Sequence, residues 1–216
     1  MRISESVKAL FGKGVEKKSI TLVDPFAIEL FGSVPSIAGP SINPATAIRV
    51  PAVYSAIALV TGAIGSLPAK VFSSGGGKRT EKDHPAYFLV HDWANDWTSA
   101  GELRATLTAD ALFHDHGYAY ANRNGEGQVI EFIRLDPKSI TPKHDETTGE
   151  PFYVQRLPNG RERTYVYQDI LRISAPLGMS PIKAGKEAIG LASVLERHAA
   201  QLFGRGARPS AVLSKE

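Results

Sequence analysis

The chain has 216 residues, 25 Lys plus Arg, 22 Asp plus Glu and no cysteine. That length allows one large domain or two small ones with enough chain for a real core, and 43% hydrophobic with 22% charged residues excludes wholesale disorder. The missing cysteine excludes a disulfide scaffold, a thiolate zinc site and a cysteine nucleophile together. The formal charge of +3 belongs to the first 20 residues, where Arg2, Lys8, Lys13, Lys17 and Lys18 face only Glu5 and Glu16; the body is neutral.

Residues 1–46 carry turn formers (Gly32, Pro35, Gly39, Pro40, Pro44) and little periodicity, and read as a flexible arm with one short helix near Ser4–Phe11. No apolar stretch suited to a secretory signal follows Met1. Pro51 then opens a helix striped by Val53, Ile57, Val60 and Ile64, with Tyr54, Ala58, Thr61 and Gly65 as a second stripe of smaller residues. The 20 residues between Arg49 and Lys70 are uncharged, but Pro51, Gly62, Gly65 and Pro68 interrupt them and alanine dominates. The expectation is a helix packed closely on more than one side, not a membrane span. Ala69–Phe72 reads as a strand and Ser73–Thr80 as an exposed hairpin turn. A phosphate loop does not fit there, because Arg79 follows Lys78 and Phe72 holds the upstream glycine position.

Ser99-x-x-Glu102 is a capping box opening a helix of about four turns toward His116, with Leu103, Leu107 and Ala111 on one face. Strands follow at Tyr118–Arg123 and Gln128–Arg134 around Asn124-Gly125, whose pair tolerates positive φ, then at Phe152–Arg156 and Glu162–Tyr167 around Asn159-Gly160, then at Ile170–Ile173. Ser180-Pro181 starts, and Gly204 stops, a single final helix roughly 35 Å long, apolar at Ile182, Ile189, Ala192, Leu195, Ala199, Leu202 and Phe203. The class is α+β, an antiparallel meander with flanking helices plus one long C-terminal helix.

The compact titratable cluster is His114-Asp115-His116. Histidines at i, i+2 point apart on a strand or a helix, so the plain reading is polar residues closing a helix. His84 and His91, near Asp83, Asp92 and Asp96, carry no metal motif. A metal-dependent hydrolase on His84, His91 or the His114/His116 pair is the enzyme alternative. A sequence-nonspecific DNA-binding module, using Lys183, Lys186, Arg197, Arg205 and Arg208 on or beyond the final helix against phosphates, is the other. No motif calls for a cofactor or a catalytic group.

In element order the chain resembles the portal, or head–tail connector, proteins of tailed bacteriophages over roughly residues 47–213. Four segments carry the resemblance: the small-residue helix from Val53 running into Ser66-Leu67-Pro68-Ala69-Lys70-Val71-Phe72; Gly117-Tyr118-Ala119-Tyr120, where the family usually shows Gly-Asn-Ala-Tyr; Leu135-Asp136-Pro137 with Asp169-Ile170-Leu171-Arg172-Ile173, where it shows His for Arg172; and Ser180-Pro181-Ile182 closing on Phe203-Gly204-Arg205-Gly206-Ala207-Arg208-Pro209.

The resemblance implies a wing-like domain over 47–178, a stem-like helix over 179–205 and the start of a clip-like region over 206–216, that is, the first portion of a larger subunit. It implies no enzyme and no cofactor, but a homo-oligomeric ring, usually of twelve, at one capsid vertex. The implied partners are the major capsid protein, the terminase packaging motor, a tail adaptor and double-stranded DNA in the channel, with no membrane. The implied location is the virion, after assembly in the reducing host cytoplasm, which the absence of cysteine suits. Lys183, Lys186, Arg205 and Arg208 are the residues expected near the DNA backbone.

Overall fold

The computed structural model describes residues 36–73 and 80–206. The expected helix near Ser4–Phe11, the tip of the glycine turn and Arg208 lie outside them. Asn43 caps α1 (Pro44–Ala47): its Oδ1 accepts from the Thr46 N–H at 3.0 Å, and Thr46 Oγ1 accepts from the Asn43 N–H at 2.9 Å. Residues 36–47 are seated on the body rather than loose, with Ser36, Ile42 and Ala47 buried.

Pro51 starts α2 (Pro51–Ser66), as the spacing predicts. Its Val53 and Ile57 turn inward against Ile42, Ala47 and Ile182. Its last turn lies so close to the next long helix that a Cβ on Gly101 would stand 2.7 Å from the Gly65 carbonyl oxygen. Among the described residues the expected contact on several sides is not met, because Tyr54, Leu59, Val60 and Ile64 remain exposed. Among the described residues the predicted strand at Ala69–Phe72 reduces to a single antiparallel bridge between Phe72 and Thr80.

A short helix that the periodicity did not reveal, α3 (Pro85–His91), follows, then the small hairpin of β1 (Trp93–Asn95) and β2 (Thr98–Ser99). Ser99 Oγ accepts from the Glu102 N–H at 3.1 Å and opens α4 (Ala100–His114), which buries Leu103, Leu107 and Ala111. Arg104 fastens this corner: Nη1 donates to the Val90 carbonyl at 2.6 Å and Nη2 to the Leu67 carbonyl at 2.8 Å, so one guanidinium meets the C-terminal ends of both α2 and α3.

The expected meander is two three-stranded antiparallel sheets. The first has the order β4 (Val129–Leu135), β3 (His116–Arg123), β8 (Ile170–Ser174); the second is β5 (Ile140–His144), β6 (Pro151–Arg156), β7 (Glu162–Val166) in sequence order. Strand β8 returns to the free side of β3, opposing Ile173 to Gly117 and Arg172 to Tyr118. Strict alternation along β3 divides its partners. Tyr118 and Tyr120 face the second sheet, in a core of Leu135, Ile140, Tyr153, Tyr165 and Ile170. Ala119 faces α4, with Leu103, Leu107 and Ala94. A Cβ on Gly117 would fall 2.2 Å from the Leu107 carbonyl oxygen, so glycine sets the distance between helix and sheet. In the hairpin turns positive φ falls on Gly127 and Gly160. Asn124 instead uses its side chain, Oδ1 accepting from the N–H groups of Glu126 and Gln128, so the positive φ expected of the Asn124-Gly125 pair moves two residues on.

The single final helix is two. Ser180 caps α5 (Pro181–Ala184), and Gly185, at φ −90 and ψ 10, separates it from α6 (Lys186–Gly204). Glycine loses more backbone freedom in a helix than other residues, and the helix is interrupted at this one.

Candidate functional site

Two features of the fold bear on function: the joint that aims α6, and the apolar surface the chain leaves uncovered. The joint is built by the His114-Asp115-His116 cluster. Asp115 ends α4 at φ 73, a conformation few non-glycine residues adopt, and turns the chain sharply into β3. Its Oδ1 accepts from the Ser180 N–H at 2.7 Å, its Oδ2 accepts from Lys183 Nζ, and its carbonyl accepts from the Ala175 N–H at 2.8 Å. Ser180, fully buried, donates through Oγ to the Leu112 carbonyl at 2.6 Å and accepts from the Ile182 N–H at 3.1 Å. The start of α5 is thereby pinned to the end of α4.

Burial pushes the Asp115 carboxyl up, but the bonds from Lys183 and from the Ser180 N–H outweigh it and hold the group below the ordinary carboxylate range. Burial lowers the imidazole of His114, aided by the Lys138 charge, and lowers that of His116, aided by Arg172. Both histidines therefore favour the neutral form. His116 Nδ1 lies 3.1 Å from Ser174 Oγ across β3 and β8.

These placements leave the metal-hydrolase reading without a centre. His84 Nδ1 accepts from the Ala86 N–H at 3.1 Å as the cap of α3, and His91 stacks on Tyr87 at 4.8 Å and meets Asp92. Among the described residues no group of three or more His, Asp or Glu side chains could hold a metal ion. Among them, too, no helix is long and apolar enough to cross a membrane.

The cations singled out on the final helix are dispersed. Lys183 is bonded to Asp115, Lys186 Nζ lies 3.6 Å from Glu187, Arg197 and Arg205 are exposed, and Arg208 lies outside the described residues. Beyond Ser193 the helix is exposed at nearly every position, and Leu191, Leu195, Leu202 and Phe203 present apolar surface on it. Exposed Phe88, Trp93 and Ile130 line a 460 Å³ cleft that also takes in Asp96 and Glu131, and Trp97 nearby in sequence is exposed as well. No apolar periodicity in the sequence marks this cleft. Two tryptophans four residues apart between turn formers were its one visible signal.

Among the described residues, antiparallel sheets and packed helices make a mixed body that ends in one long helix, a fold shared by solved structures of a phage portal protein and of a gene transfer agent neck. The chain is similar to a protein in the neck of a native gene transfer agent particle computed with C12 symmetry, with TM-score 0.58 and 17% identity over 90% of this chain and 57% of that one. It is similar to the crystal structure of an HK97-family phage portal protein from Corynebacterium diphtheriae, with TM-score 0.55 and 18% identity over 80% of this chain and 52% of that one. In sequence it is 22% identical, over 182 residues, to the portal protein of Enterobacteria phage HK97, covering 81% of this chain and 42% of that protein. Residues 51–216 match the family model described as Phage portal protein, and the chain belongs to that family. It spans less than half the length of the HK97 relative.

Tyr118 and Arg172 oppose each other directly across β3 and β8. Tyr118 is buried edge-on to Tyr153, ring centroids 5.6 Å apart, and fills the space between the sheets.

Proposed function

We propose that this chain is the wing and outgoing stem of a subunit that forms a closed portal ring at a capsid vertex, and that its role is structural rather than enzymatic. The family match over residues 51–216 carries this reading. The uncovered apolar faces of α2 and α6 support it, because surfaces of that kind mark protein contacts. Two different apolar faces on one chain suit a heterologous, head-to-tail interface, the kind that closes into rings.

On this reading residues 47–178 form the wing, 179–205 the stem and 206–216 the beginning of a clip-like region, with the basic N-terminal segment an arm for its own partner. The ring, of twelve subunits, passes double-stranded DNA during packaging and ejection and docks the packaging motor, the major capsid protein and a tail adaptor. Lys186, Arg205 and Arg208 contact the phosphate backbone without sequence preference, and Lys183 does so only when it leaves Asp115. A body with balanced charge suits a channel, since dense positive charge would hold moving DNA. Assembly takes place in the host cytoplasm and the finished ring resides in the virion. Native mass spectrometry of the full-length protein tests the reading: one closed oligomer of about twelve copies is expected, and a protein that stays monomeric across assembly conditions contradicts it.

A further inference from the structure

The start of α2, the end of α4 and the α5–α6 stretch enclose an apolar groove of 260 Å³ in which every lining side chain is apolar. Val53, Ile57, Ile182 and Ile189 line it and also belong to the cluster that buries Ile42 and Ala47. Among the described residues the groove is therefore the uncovered side of a core whose other side Ile42 and Ala47 already close. Where the described chain begins, Ser36 is pressed against Gly190, one residue beyond Ile189. A Cβ on Gly190 would stand 2.4 Å from Ser36 Oγ, and the Ile37 N–H donates to Glu187 Oε2 at 2.7 Å.

The apolar stretch that shortly precedes Ser36 in the sequence is Phe26-Ala27-Ile28-Glu29-Leu30-Phe31, one acid among five apolar residues. It lies outside the described residues. Only five positions separate Phe31 from Ser36, a reach of about 16 Å for extended chain. We propose that residues 26–31 of the same chain cover this groove and extend the contact that Ile42 begins. A segment tethered so closely has a millimolar effective concentration at the groove, which favours it over a segment from a second copy. The inference is independent of ring formation.

The test exploits the absence of cysteine, which makes an introduced thiol unique. Ala56 lines the groove and is exposed among the described residues, so Ala56→Cys places a probe there with little disturbance. In the full chain, alkylation of that thiol should quicken about tenfold or more when Ile28→Ser, Leu30→Ser and Phe31→Ser are added, the ratio that one buried aliphatic side chain sustains. Oxidation of an Ala56→Cys, Leu30→Cys pair should give an intrachain disulfide whose yield does not depend on protein concentration. Equal alkylation rates with no more disulfide than an Ala56→Cys, Ser4→Cys control overturn the proposal. So does a disulfide that forms only between chains and grows with concentration.

Discussion

Asp115 Oδ1 accepts the backbone N–H of Ser180 at 2.7 Å, joining residues 65 positions apart, and this bond fixes the direction in which the final helices leave the body. Ser180→Ala removes both the donor to the Leu112 carbonyl and the cap of α5. It should cost about 2–3 kcal/mol, read as a lower urea midpoint. Asp115→Asn keeps an acceptor for Ser180 and loses only the charge facing Lys183, so it should cost clearly less than Asp115→Ala. Equal midpoints for the two Asp115 variants would contradict this account of the joint.

Gly117 sets the spacing between α4 and β3. Gly117→Ala places a carbon 2.2 Å from the Leu107 carbonyl oxygen, in backbone that cannot move aside, and should cost about 3 kcal/mol or leave the chain unfolded. Gly125→Ala, with no atom within 4 Å of the new carbon, should change stability by no more than about 0.5 kcal/mol. Thermal unfolding of the two variants side by side checks the contrast.

Asp110 is buried on α4 and accepts from Arg134 Nε and Nη2, both at 2.7 Å, a bidentate pair that clips β4 to the helix. The bond to Asp110 raises the Arg134 guanidinium further above its ordinary value. Arg134→Met leaves a buried carboxylate unpartnered and should cost about 2–3 kcal/mol. Asp110→Asn combined with Arg134→Met should cost less than Arg134→Met alone, because the stranded charge is gone. A double-mutant cycle in urea reads the coupling directly.

Acidification should weaken the fold through His114 and His116. Both are lowered from the ordinary 6.5, so the unfolded chain takes up protons more readily than the folded one. Their contribution is complete above pH 6.5 and is lost as pH falls from there through the folded values. The Asp115 contribution is lost only lower, below 3.8. The urea midpoint should therefore drop between about pH 7 and pH 5, and His114→Gln with His116→Gln should flatten the drop. An equally steep drop in the double variant would remove the histidines as its cause.

The sequence exposed what local chemistry decides. Periodic apolar positions placed α2 and α4, Asn159-Gly160 placed the β6–β7 turn, and Ser180-Pro181 placed the start of the final helices. It concealed what depends on distant partners. Strand β8 returns to β3 past an inserted three-stranded sheet, and nothing in Ile170–Ser174 says which strand it meets. Strand β5 escaped notice because Ile140-Thr141-Pro142-Lys143-His144 has almost no apolar alternation, as an edge strand with one paired side permits. Ser180 was legible as a cap, but its second bond to Leu112 was not, since nothing local marks it. The break at Gly185 was a visible glycine overruled by a strong apolar stripe on both sides. Of the candidate site, the uncharged and apolar faces could be read from sequence, whereas the pairing of Lys183 with Asp115 could not.

The most direct measurement of the central claim is an electron-microscopic reconstruction of the full-length protein. The account predicts a closed ring with a central channel, α6 toward the channel and the β5–β6–β7 sheet toward the outer rim. It also predicts that Leu195→Asp with Phe203→Asp, both exposed in the single chain, abolishes the ring while the fold survives. A twofold dimer, or a ring with α6 on its outer surface, would contradict it.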